Sequence, residues 1–327
     1  MLFLGNSHLG VMIFFVMSGY IITRILRREM EATATIHLPN FYLRRILKIF
    51  PNFYLYLLVV LLLALKGILY VPLARILAAA TFSYNYSHLL DHPQLSTRDI
   101  WFVGHFWTLC LEEQFYLLWP LVLLKCGLQR GRYTALLIVF LCPFVRVLTY
   151  FLWPATRVQL GMMLHTAADP LMVGCLVALG EGSPRLENFV RRLSNGRGAA
   201  VAALFAFVVS PLFYERFEGA YQYSVGLTLE ACAIAVLLLY LIHYPRSLAG
   251  QLFNFKPLVT MGLMSYSVYI WQQLFLFPFN RSWMGGYPLN LLLACGAGAL
   301  AYFLIEQPIL RLKNRLLVRS RGGEMVA

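Results

Sequence analysis

His105, Glu112 and Tyr116 fall on one stripe if residues 105–124 form a continuous helix, two turns separating the first pair and one turn the second. An imidazole, a carboxylate and a phenol aligned in this way could handle protons around a hydroxyl substrate. The same spacing also suits a structural lock, in which Glu112 pairs with Arg146 or with a tyrosine. Glu113, Arg146, Asp169, Glu230 and Glu306 are further charged groups set within apolar runs, where they are costly and so carry a functional expectation. The segment FYLRRILKIFP at 41–51 presents Arg44, Arg45 and Lys48 either to lipid headgroup phosphates or to the phosphates of a nucleotide-bearing donor. The six cysteines lie mostly in or beside apolar runs, with no CxxC pair and no histidine at ligand spacing, so they read as packing residues and no metal site is expected.

The elements that must carry these groups are set by composition. Hydrophobic residues make up 60% of the 327 and charged residues only 13%, with a mean hydropathy of +0.69, a balance foreign to soluble domains. The lipid bilayer is therefore the solvent and the first partner. In hydrocarbon each backbone amide must be satisfied within its own helix or within a closed barrel, and the apolar runs here have helix length, not strand length. The fold class expected is all-α, a polytopic transmembrane helical bundle. Runs able to cross roughly 30 Å of hydrocarbon lie near 9–25, 50–67, 105–124, 133–152, 164–181, 198–214, 223–243, 257–277 and 289–306, about nine crossings. The stretch 72–90 carries Arg75, Asn85 and His88 and reads as re-entrant or interfacial.

A net charge of +13 would suggest nucleic acid in a soluble chain. Here the basic residues sit in short clusters between apolar runs, so they report topology and no nucleic-acid partner is expected. With 72–90 not crossing, twenty Lys and Arg gather on one side, including Arg24, Arg27, Arg28, Arg44, Arg45 and Lys48, and six on the other. By the positive-inside rule the C-terminus is cytoplasmic and the first residues face outward. No cleavable signal peptide is evident at the start, because MLFLGNSH has no basic region before the apolar run.

In order and spacing, six stretches resemble the type 3 membrane acyltransferase family: GVMIFFVMSGYIITRIL, FYLRRILKIFPNFYLYL, HFWTLCLEEQFYLLWP, HTAADPLMVGCLVAL, MGLMSYSVYIWQQLFL and FLIEQPILRL. They span nearly the whole chain. The resemblance implies a multi-pass enzyme of the bacterial inner membrane that takes an acyl group, usually acetyl, from cytoplasmic acyl-CoA. The acyl group goes to a hydroxyl of an exported polysaccharide, lipopolysaccharide or lipid-linked saccharide. Acyl-CoA is then a co-substrate, and no tightly bound cofactor is expected. Carried over by motif, Arg45 and Lys48 match the basic donor-contacting element beside Arg44, with Lys in place of a second Arg. Phe14, Phe15, Ser18 and Gly19 match an FFxxSG element. Glu112 matches the recurring carboxylate, with Trp107, Gln114 and Tyr116 around it, and His105, Tyr269, Trp271 and Glu306 belong to the matching stretches, while Arg146, outside them, is a candidate for the structural frame or the substrate path.

This chain departs from the pattern in three places. Ala167 stands where relatives have an arginine between His165 and Asp169, which leaves Asp169 unpaired or free to use His165. Gln272 follows Trp271 where relatives carry a histidine, and glutamine can only hydrogen-bond. The family also begins with a further helix bearing the histidine regarded as catalytic, and that helix is expected upstream of Met1. His8 lies at the outer end of the first span, and position alone gives it no catalytic role. The domain expected is an acyltransferase over 1–310, N-terminally incomplete, followed by a basic cytoplasmic tail at 311–327. Two other readings compete: a transporter of glycans or small anions, since intramembrane charges also mark transport paths, and a truncated, non-catalytic remnant.

Overall fold

The computed structural model describes residues 7–90, 97–181, 183, 188, 191–278 and 283–311. Among these no β-strand occurs. The α-helices with described bounds include α1 (Ser7–Thr33), α2 (Leu38–Leu65), α3 (Leu73–Ala80), α4 (Thr97–Gly104), α5 (Trp107–Leu152), α6 (Leu164–Ala167), α7 (Asp169–Gly180), α8 (Gly196–Leu204), α9 (Ser210–Tyr221), α10 (Leu227–His243), α11 (Leu248–Phe253), α12 (Lys256–Trp271) and α13 (Leu289–Ala301). The chain is the all-α membrane protein its composition requires. Among the described residues five helical stretches are long and apolar enough to cross a bilayer: His8–Thr33, Leu38–Leu65, Ile100–Leu152, Gly196–His243 and Leu289–Arg311. The third and fourth hold 53 and 48 residues, and as straight rods they would measure roughly 70 to 80 Å. Each is bent sharply instead: Gly127 takes φ 76° and ψ 170° inside α5, and Glu218 takes φ 45° and ψ −129° inside α9.

Side chains sort as they should when the solvent is hydrocarbon. Phe140, Phe144, Leu204, Leu300 and Leu304 are exposed, whereas Arg146, Asp169, Glu112, Asn52 and Glu306 are buried. The stretch expected to be re-entrant or interfacial forms the eight-residue α3 and a 3₁₀ turn at Tyr84–Leu90. Eight residues rise only about 12 Å, too short to cross. The basic tail expected over 311–327 lies, apart from Arg311, outside the described residues.

The chain folds into two compact units that interleave in sequence. One comprises Met1–Ile36 and Trp107–Phe253, the other His37–Phe106 and Asn254–Ala327. In the first unit α1 and α7 lie against each other with their backbones touching. A Cβ on Gly19 would sit 2.0 Å from the Leu171 carbonyl oxygen, and one on Gly174 would sit 2.1 Å from that of Val16. Gly19 and Gly174 therefore mark close helix packing, as small residues do in membranes. Arg27 closes the far end of α7. Its Nη1 donates to the Ala178 carbonyl at 2.9 Å and to that of Glu181, while Nη2 donates to Glu181 Oε2 at 2.9 Å, supplying partners to carbonyls that a helix end leaves orphaned. In the second unit α2, α12 and α13 pack together, with α3 beside α2.

Candidate functional site

The first half of α5 positions the central carboxylate. Glu112 and Tyr116 stand one turn apart, so the Tyr116 hydroxyl reaches Glu112 Oε1 at 2.6 Å. Ser18 Oγ on α1 meets the same Tyr116 oxygen. The single phenolic proton is committed to Glu112, which makes Ser18 the donor in that contact. All three residues are buried. One turn on, Trp119 Nε1 donates to Thr23 Oγ1 at 2.8 Å, pinning α5 to α1 a second time. Trp107 opens α5 and meets Phe15 edge-on with ring centroids 6.0 Å apart. Phe15 is buried and its neighbour Phe14 is exposed. Gln114 is half-buried, one of the two positions between Glu112 and Phe115.

A second polar cluster of this unit is centred on Arg146. Its Nη1 and Nη2 donate to Asp169 Oδ1 and Oδ2 at 3.2 and 2.8 Å, and Nη2 also donates to Thr228 Oγ1 at 3.1 Å. Thr228 in turn donates to Asp169 Oδ2. Both charged side chains are fully enclosed. The expectation that Asp169 is unpaired or uses His165 is corrected by this geometry: with Ala167 in the usual arginine position, the guanidinium comes from Arg146 on α5. Arg146 is equally not the partner of Glu112, whose described contact is Tyr116. His165 instead lines an apolar cavity of ≈ 300 Å³ with Phe115, Trp119, Cys142 and Met172.

His105 does not share a helix with Glu112. Helix α4 ends at Gly104, His105 and Phe106 form a turn, and α5 begins at Trp107. The continuous 105–124 helix is thus corrected, and its stripe holds only Glu112 and Tyr116. His105 belongs to the second unit, where it is buried. There the Tyr269 hydroxyl donates to its carbonyl, and its ring packs edge-on to Tyr56 and Tyr269 at centroid distances of 5.8 and 5.2 Å.

The second unit also contains a chain of polar contacts that sequence spacing could not suggest. Trp271 Nε1 donates to Asn52 Oδ1 at 2.8 Å, Asn52 Nδ2 donates to Ser267 Oγ at 2.9 Å, and Ser267 Oγ donates to Glu306 Oε2 at 2.8 Å. Lys48 Nζ completes the chain on Glu306 Oε1 at 3.3 Å. Asn52 and Ser267 were missed. Their only signal is polarity within apolar runs, since partners 215 residues apart leave no local pattern. Lys48 is part-exposed and already shares its charge with Glu306, while Arg45 lies over the Phe41 ring at 5.9 Å and Arg44 stands beside it, half-buried.

Comparison with known proteins fits this arrangement of buried charges in a helical bundle. Residues 1–306 match the model of the acyltransferase domain. Among curated proteins the chain is 30% identical over 328 residues to the O-acetyltransferase OatA of Staphylococcus aureus, covering 94% of this chain and 53% of that protein. It is 29% identical over 293 residues to the peptidoglycan O-acetyltransferase OatA of Listeria monocytogenes, covering 81% of this chain and 44% of that one. The chain thus spans about half the length of these relatives. No solved structure matches. With six motifs in order and a family model that covers all but the last residues, the chain belongs to the type 3 membrane acyltransferase family.

Proposed function

We propose that this chain moves an acetyl group from cytoplasmic acyl-CoA to a sugar hydroxyl of a peptidoglycan-type glycan on the outer face of a bacterial plasma membrane. The observation that carries the reading is the family match over residues 1–306. The relatives' names, an O-acetyltransferase in one case and a peptidoglycan O-acetyltransferase in the other, favour peptidoglycan over lipopolysaccharide as acceptor. Orientation rests on the twenty-to-six division of Lys and Arg, which places the start of α2 at the cytoplasmic surface. Arg44, Arg45 and Lys48 are the groups we assign to the donor phosphates, as charge-assisted contacts.

In the reaction the acceptor oxygen attacks the acyl carbonyl carbon, a C–O bond forms, the bond to CoA sulfur breaks, and the hydroxyl proton ends on the departing thiolate. Such a step needs a base and donors for the oxyanion. Glu112, held by Tyr116 and Ser18, is the buried carboxylate we assign to this machinery. The test is transfer of labelled acetyl from acetyl-CoA to a peptidoglycan disaccharide by the whole chain in lipid nanodiscs. Alkali-labile label on the sugar is the expected result. Movement of the unmodified sugar across liposomes without any ester would support the transporter instead, and an inert, folded chain would overturn the enzymatic reading.

A further inference from the structure

Helix α5 doubles back on itself. At Gly127 the backbone leaves helical geometry, and a Cβ on Gly131 would lie 2.5 Å from Leu123 Cδ2. In a straight helix eight residues would hold those positions about 12 Å apart, so α5 is a hairpin whose turn carries Lys125, Arg130 and Arg132. Between its two arms, α6 and α7 lies the apolar cavity of ≈ 300 Å³ that His165 lines. One arm supplies Phe115, Leu118, Trp119 and Val122, and the other Thr134, Ile138, Leu141, Cys142 and Val145. Each set keeps to one helix face, so the cavity is a slot that runs about 10 Å along the first arm and about 16 Å along the second. Its floor is buried at Phe115, Trp119, Cys142 and Met172, while Leu118 and Leu141 on the two rims are 50% and 45% exposed. The slot therefore opens sideways, towards the lipid.

The donors in its wall are directed elsewhere. The Thr134 hydroxyl donates to the Arg130 carbonyl at 3.0 Å, Trp119 Nε1 to Thr23, and the Cys142 thiol to the His165 carbonyl at 3.8 Å. A sugar or an amide-bearing pantetheine arm would give up hydrogen bonds to water on entering such a place, whereas a hydrocarbon chain gains contact on every side. The turn adds the second half of the pattern. The slot's lower end, at Val122 and Thr134, lies roughly 8–10 Å from Gly127, and beneath it Lys125 and Arg130 are exposed. Arg132 Nη2 meets the neutral Gln129 Oε1 at 3.4 Å, and no Asp or Glu occurs anywhere from 114 to 168. Three cations thus stand at headgroup depth directly below an apolar slot, with no acid in the hairpin to balance them.

We propose that the α5 hairpin binds one anionic phospholipid, with an acyl chain lodged in the slot and the phosphate held by Lys125, Arg130 and Arg132. The lipid belongs to the leaflet on the side of the turn, which is cytoplasmic in the orientation proposed above. The site needs only the membrane fold and is independent of the acetyl-transfer reading. Phe115 and Trp119, stacked with ring centroids 6.1 Å apart, form its floor on the same arm that carries Glu112 and Tyr116, and Trp119 reaches through to α1. A bound chain therefore braces that arm from the lipid side.

The experiment uses the whole chain in dodecylmaltoside micelles, with dioleoyl phosphatidylglycerol or dioleoyl phosphatidylcholine added, two lipids with the same chains. Native mass spectrometry is expected to retain a single phosphatidylglycerol per protein, and that lipid raises Tm more than phosphatidylcholine does. Lys125→Gln, Arg130→Gln and Arg132→Gln each lower affinity for phosphatidylglycerol about fivefold and leave that for phosphatidylcholine unchanged. Ile138→Trp fills the slot and removes the bound lipid. Should Ile138→Trp fold poorly, a phosphatidylglycerol with a photoactivatable diazirine on its acyl chain locates the site in the wild type: label concentrates on 115–122 and 134–145 and spares the exposed Leu300 and Leu304. Equal retention of the two lipids, an unchanged preference in the Gln variants, or full retention by a folded Ile138→Trp protein overturns the proposal. So does label spread evenly over the lipid-facing helices, or a wild type that retains no phospholipid.

Discussion

Arg146 and Asp169 form a bidentate pair, with Nη1 to Oδ1 at 3.2 Å and Nη2 to Oδ2 at 2.8 Å, and neither side chain has any exposed surface. Two opposite charges in such a place are a balance of large terms: each costs several kcal/mol to bury, and their attraction repays that only while both are present. Removing one partner is therefore worse than removing both. Arg146→Met alone or Asp169→Leu alone should cost about 3–5 kcal/mol of stability, whereas the double variant should recover much of the loss. Thermal unfolding in detergent distinguishes the cases, and a double variant as unstable as the sum of the singles would contradict this account. Arg146→Lys does not substitute, because an ammonium cannot reproduce the fork that also serves Thr228.

The contact of α1 with α7 predicts a sharp dependence on two glycines. Gly19→Ala brings a methyl to 2.0 Å from the Leu171 carbonyl oxygen, and Gly174→Ala brings one to 2.1 Å from that of Val16. Because backbone atoms are met on the far side, the helices themselves must separate, at a cost of about 1–3 kcal/mol or more each. Gly10, on the same helix with nothing within 4 Å of its would-be Cβ, is the control. Gly10→Ala should be neutral or gain about 0.5–1 kcal/mol from helix propensity. Equal melting temperatures for Gly10→Ala and Gly19→Ala would count against close packing here.

How far the sequence carried each of these features depends on the range of the interaction. Membrane class and helical content follow from composition, because the bilayer leaves the backbone few options. The Glu112–Tyr116 pair was legible because one helical turn separates its members. The close approach at Gly19 was not legible, since the helix it meets carries Gly174, far along the chain. His105 was misplaced by starting the helical stripe at 105, where the chain still turns after the helix that ends at Gly104, a residue of poor helix propensity. The partners of Asp169 and Lys48 lie 23 and 258 residues away in sequence, and side-chain periodicity says nothing about such pairs. Deletion of the usual arginine at 167 read as a loss because its replacement came from another helix.

Lys48 and Glu306 allow donor binding to be separated from structure. Lys48 is part-exposed and the Glu306 side chain is almost wholly enclosed, 3.3 Å away. If Lys48 meets the donor's phosphates, Lys48→Met should raise KM for acetyl-CoA. Glu306→Gln frees the ammonium from its competitor and should leave that KM unchanged or lower it. Both variants should lose some thermal stability, Lys48→Met the more, because it leaves a buried carboxylate with Ser267 as its remaining described donor. Parallel rises in KM that track the loss of melting temperature would mean that Lys48 serves only to hold α2 in place.

Glu112 and Tyr116 pose the same question for the central carboxylate, and three variants answer it. Glu112→Gln keeps the side chain's shape and still offers an oxygen to the Tyr116 hydroxyl, so stability should fall by no more than about 1 kcal/mol. If the carboxylate handles a proton or steadies charge in the reaction, kcat should nevertheless fall by about 10²–10⁴-fold. Tyr116→Phe does the reverse: it removes the hydroxyl that joins Glu112 to Ser18 and should cost about 1–3 kcal/mol, since buried groups lose a partner. Ser18→Ala takes away one donor to Tyr116 and should cost about 0.5–1.5 kcal/mol. Acetyl transfer and thermal unfolding measured side by side on the three proteins separate rate from fold. A Glu112→Gln protein that unfolds early yet transfers acetyl at the wild-type rate would make this carboxylate a lock between α1 and α5 and remove it from the chemistry.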